Sequence, residues 1–144
     1  MRLSPHVAAL AVLLAGILLP EAAARAETLR FGARLSGMFE PGGDSDGFGS
    51  FLMEVDSQTG RACYTLMTRQ IGIATSAGIH SRKAGWTFGP PTLPLDVTGP
   101  LNDTCTTLPP EALGAIAASP VSFQVSVRND QFPRGALRGQ LERR

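Results

Sequence analysis

The stretch VSFQVSVRNDQFPRGALRGQL, running from Val121 to Leu141, decides the fold class. Val121, Phe123, Val125 and Val127 alternate with Ser122, Gln124, Ser126 and Arg128, the two-residue period of a strand with one buried face. Asn129, Asp130, Pro133 and Gly135 break the run with turn formers. Leu137, Gly139 and Leu141 then alternate with Arg138, Gln140 and Glu142. Two alternating runs around a turn predict a closing β-hairpin. Nothing in it is a catalytic constellation.

The same period recurs upstream. Leu29, Phe31, Ala33 and Leu35 share one face of a first strand, with Arg30, Gly32, Arg34 and Ser36 on the other. A loop of turn formers from Pro41 to Gly47 follows, and Phe51, Met53 and Val55 begin a second hairpin over residues 49–68, completed by Ala62, Tyr64 and Leu66. Ala77, Ile79 and His80 make a short strand. From Arg82 to Pro100 four prolines (90, 91, 94 and 100) dictate an irregular loop with extended pieces such as Leu95 to Val97. Pro109 and Pro110 precede Leu113, Ile116 and Ala117 at helical spacing, a short helix with proline in its first turn, stopped by Pro120. The expected fold is therefore all-β, an antiparallel Greek-key-like sandwich or barrel with one short helix.

The first residues read as an address. Arg2 gives a positive start, Val7 to Leu19 is uninterrupted apolar sequence, and Ala24, Arg25 and Ala26 form an A-x-A cleavage site. A signal peptide over residues 1–26, cut after Ala26, predicts a secreted or periplasmic protein. The apolar run falls short of the roughly 20 residues that span a bilayer. Residues 27–144 then form one domain. Of 13 basic and 12 acidic residues, Arg2, Arg25 and Glu21 leave with the leader, so the mature charge is balanced and a nucleic-acid partner is not expected. Cys63 and Cys105 make an even pair in an exported chain, which reads as a disulfide.

These landmarks resemble the CHRD domain, the module repeated in chordin. Phe31-x-Ala33-x-Leu35-Ser36-Gly37 with Glu40-Pro41 is similar to the opening of that family. Gly47-x-Gly49-x-Phe51, Tyr64-Thr65, Gly78-Ile79-His80 and Gly89-Pro90 follow in order, then Leu108-Pro109-x-Glu111-x-Leu113 and Val125-x-Val127. The most specific match is Phe132-Pro133-x-Gly135-x-Leu137-Arg138-Gly139-Gln140-Leu141. Three positions depart from the pattern: Gly78 and Arg128 stand where the family carries histidine, and Ala136 where it carries glutamate. The resemblance implies a protein or matrix partner outside the cytoplasm.

Candidate sites are sparse. His80 is the one histidine left in the mature chain, since His6 lies in the leader, so no metal site or cofactor is expected. Asp44-Ser45-Asp46-Gly47 begins like a calcium loop but lacks its later ligands and reads as a solvated turn. Trp86 and Phe88 beside Arg82 and Lys83, together with His80 and Arg128, form a candidate binding surface. Arg128, Arg134, Arg138, Arg143 and Arg144 make a basic cluster, with Arg128 and Arg138 read as solvent-facing edge charges. Asn102-Asp103-Thr104 is a glycosylation sequon for hosts that glycosylate. The expected function is a non-catalytic, disulfide-stabilised binding or structural module; the alternative is a copper- or zinc-dependent oxidoreductase built like the superoxide dismutases.

Overall fold

A computed structural model describes residues 25–82, 90–99 and 103–144. The leader expected at 1–26 falls outside them up to residue 24, as do Lys83, Trp86, Phe88, Gly89 and Asn102. Among the described residues nine strands make one continuous sheet: β1 (Thr28–Ser36), β2 (Phe48–Asp56), β3 (Arg61–Arg69), β4 (Ala74–Ser81), β5 (Leu93–Leu95), β6 (Thr104–Thr107), β7 (Phe123–Asn129), β8 (Leu137–Gln140) and β9 (Glu142–Arg143). Among the described residues one α-helix, α1, spans Pro110–Ala118. Every pairing is antiparallel, in the order β5-β4-β7-β8-β1-β2-β3-β6, with β9 also on β1, and the sheet curls into a half-barrel. The all-β expectation with one short helix holds.

The alternation read from sequence becomes the core. Phe31, Leu35, Phe51, Val55, Leu66, Ile79, Val125, Val127, Leu137 and Leu141 are fully buried on the concave side, closed at one end by Ile116 of α1 and Leu108 before it. Burying such a side chain contributes about 1.5–3 kcal/mol, so this face drives the curl. The curled sheet is tied across its open side. The buried Tyr64 hydroxyl on β3 accepts from the Asp96 amide at 2.9 Å, and the amides of Thr98 and Gly99 donate to Leu66 carbonyl at 3.1 and 3.2 Å. The chain leaving β5 therefore reaches β3, and the next strand pairs there as β6.

Two details differ from the alternation. Val121 is 50% exposed in a short 3-10 turn, Pro120–Ser122, and the strand starts at Phe123. Pro120, three residues before Phe123, fixes that turn before the strand can begin. The extended piece placed at Leu95 to Val97 is strand at Leu93–Leu95 instead, where Leu93 and Leu95 both face the core. Cys63 and Cys105 lie directly opposite one another on β3 and β6 and form a disulfide with Cα atoms 4.0 Å apart. Polar, four-residue β6 gains from it a covalent hold on the sheet edge.

Candidate functional site

The convex face of β4, β7, β8 and β1 carries the polar residues that alternate with the core. Cross-strand register lines them up in rows. Gly78, Ser126, Arg138 and Ser36 face each other across four strands, and His80, Gln124 and Gln140 make the next row. Because Ser36 pairs with Arg138, Arg34 is carried two residues along β1 to stand beside Gln140.

Arg138 is 8% exposed, not a solvent-facing edge charge as expected. β8 sits in the middle of the sheet, and the loop after β1 folds back over its outer face: Asp44 amide donates to Ala136 carbonyl at 3.0 Å. That loop delivers Glu40. Arg138 Nη2 donates to Glu40 Oε1 at 2.8 Å and stands equally close to Oε2, with both side chains buried. Burial pushes the Glu40 carboxyl above its ordinary pKa of 4.5, opposed by the neighbouring Arg138 and, more weakly, Arg128. Gly135, at φ +155°, lies where a Cβ would strike the Glu40 carboxyl group, so the side-chain-free turn is what lets the acid in.

Beside this ion pair lies a recess of about 610 Å³, walled among the described residues by Arg34, Arg82, Arg138, Arg144, Gln124, Gln140, Glu142 and Phe39. Arg82 Nη1 donates to Gln140 Oε1 at 3.3 Å and to Val121 carbonyl at 3.4 Å, which fixes it at the rim. Phe39, in the 3-10 turn Gly37–Phe39 capped by the Ser36 hydroxyl, is 60% exposed. The Arg144 guanidinium lies over Gly32 on β1.

Of the expected surface, His80, Arg82 and Arg128 share this convex side: His80 is buried against Gln124 in the row, Arg128 is half-buried near Glu40, and Arg82 enters the recess. Lys83, Trp86 and Phe88 lie outside the described residues. The basic cluster splits: Arg143 pairs with exposed Glu27 at 3.3 Å, Arg138 with Glu40, and Arg144 turns to the recess. Asp44 and Asp46 share a hydrogen bond that raises the Asp44 pKa above 3.8. Among the described residues no three His, Cys, Asp or Glu side chains converge as metal ligands would. At Gly78 a Cβ would meet Pro91 at 2.6 Å, so the space a family histidine would take is closed by proline. Arg34, Phe39, Gln124 and Glu142 escaped the sequence reading, although the strand alternation already put Arg34, Gln124 and Glu142 on the polar side.

The family model for the CHRD domain matches residues 31–141, from Phe31 in β1 to Leu141 after β8. No curated protein and no solved structure matches the chain. Among the described residues no helix is long and apolar enough to cross a membrane.

Proposed function

The chain belongs to the CHRD-domain family, and from that premise we propose that it is an exported, non-catalytic binding module that works through the convex face of β4, β7, β8 and β1. The observation that carries this reading is the recess itself, in which guanidinium and amide groups are gathered on one face of the sheet. The disulfide fits an oxidising compartment outside the cytoplasm, where the leader over residues 1–26 would deliver the chain. The partner is an extracytoplasmic protein or matrix component, and the charge balance favours no nucleic acid.

The test is affinity capture from the native medium or periplasm with the wild-type protein and an Arg34→Glu, Arg144→Glu variant in parallel. A ligand held by the wild type and lost by the variant supports the reading; identical capture by both contradicts the placement on this face. Metal analysis of the same preparation addresses the oxidoreductase alternative, which stoichiometric copper or zinc would favour.

A further inference from the structure

We propose that the recess binds an acidic sugar, a hexuronate unit free or within an oligosaccharide. Four observations converge on that class. First, Arg34 and Arg144 bring two exposed guanidinium groups to its mouth, with no ion-pair partner among the described residues for either. Planar guanidinium forks match a carboxylate with two parallel hydrogen bonds. Second, Gln124 on β7 is only 9% exposed and lines the recess, where its amide offers both a donor and an acceptor. Third, the exposed Gln140 and the Glu142 carboxylate also line the recess. Glu142 repels a bare anion but accepts from a hydroxyl, and the amide of Gln124 both donates and accepts. The wall thus asks for a carboxylate and hydroxyls on one small molecule. Fourth, the ring of Phe39 stands exposed at the edge, an apolar face on which a sugar ring can pack.

The cavity size agrees, since about 610 Å³ falls within the range of small-molecule sites. A concave recess also favours a discrete ligand over a flat anionic membrane. Because Arg138 is neutralised by Glu40, it anchors the recess and does not compete for the ligand.

The ligand class rests on reading this face as a binding surface, and the experiment separates the two. Trigalacturonate, its neutral galactose counterpart and inorganic phosphate are titrated into the disulfide-bonded protein by calorimetry, with backbone NMR shifts read at Gln124 and Gln140. We expect saturable binding of trigalacturonate, shifts centred on those residues, and at least tenfold weaker binding of the neutral sugar. Arg34→Gln and Phe39→Ala, both exposed and so neutral for folding, should each weaken trigalacturonate binding about tenfold. Equal binding of phosphate and trigalacturonate overturns the sugar class. No trigalacturonate binding, with a protein partner still captured through Arg34 and Arg144, overturns this inference and leaves the binding-module reading standing.

Discussion

Glu40 and Arg138 stand 98 positions apart in sequence and meet in a buried ion pair at 2.8 Å, joining the first family landmark to the last. The pair nails the loop after β1 onto the centre of the sheet, next to the recess. Losing one partner strands the other charge in a dry site, and such breaks cost about 3–5 kcal/mol. Arg138→Ala is therefore expected to lower unfolding stability by about that much in urea titration. A Glu40→Leu, Arg138→Met double variant should recover most of it, since no charge is then left unpaired. A single variant as stable as the wild type would show that the pair is open to water.

The same carboxyl sets a pH dependence. Burial holds the folded-state pKa of Glu40 above 4.5, so the folded chain keeps a proton that the unfolded chain has released. The stabilisation from that proton is complete below pH 4.5 and is lost as pH rises through the folded value. Relative to Glu40→Gln, which cannot titrate, the wild type should lose stability on going from pH 4 towards neutrality. Denaturant midpoints of the two proteins across that range measure it; parallel curves would contradict it.

Asp56 should behave in the opposite sense. In the β2–β3 turn its Oδ1 accepts from the amides of Thr59 at 2.8 Å and Gln58 at 2.9 Å, and these bonds hold its pKa below 3.8. Its contribution is present above pH 3.8 and is lost as pH falls through the depressed value. Asp56→Ala should flatten the acid limb of the stability curve. Melting temperatures of both proteins between pH 2 and 5 provide the comparison.

Gly135 is tested by the smallest possible change. At φ +155° a Cβ there meets the Glu40 carboxyl, so Gly135→Ala is expected to cost about 1–3 kcal/mol of backbone strain and to displace Glu40 from Arg138. The same substitution at Gly114, which faces open space in α1, should leave stability unchanged or slightly improved by helix propensity. Thermal unfolding of both variants gives the contrast.

Reducing the Cys63–Cys105 bond should also destabilise the domain. It closes a loop of 42 positions, for which chain entropy predicts about 4 kcal/mol, less any strain relieved. Urea unfolding with and without reductant measures the loss, and unchanged midpoints would mean that β6 holds its place without the bond.

Alternation told which face each residue of β1, β2, β3 and β7 would take, because one side of each strand is apolar. It also put Arg138 on the outer side correctly; what it missed is the loop carrying Glu40 that covers this side, a contact set by residues 98 positions away. β6 was invisible for a different reason: Thr104 to Thr107 has no apolar alternation, and its place is fixed by the Cys105 bond and backbone pairing to β3. The recess was illegible because Arg34, Gln124 and Arg144 come together only once the order β7-β8-β1 is known, an order that joins strands distant in sequence. The domain itself was legible in Phe132 to Leu141, where Gly135 and Gly139 admit neighbouring groups that no side chain would.

The most direct measurement of the central claim is site-specific photo-cross-linking in the native extracytoplasmic fraction. A photoreactive residue is placed at Phe39 beside the recess and, in a second protein, at Thr59 in the β2–β3 turn. Binding through the convex face predicts a discrete adduct from position 39, abolished when Arg34 and Arg144 are replaced by glutamate, and none from position 59. A discrete adduct from position 59 with none from position 39 would contradict it.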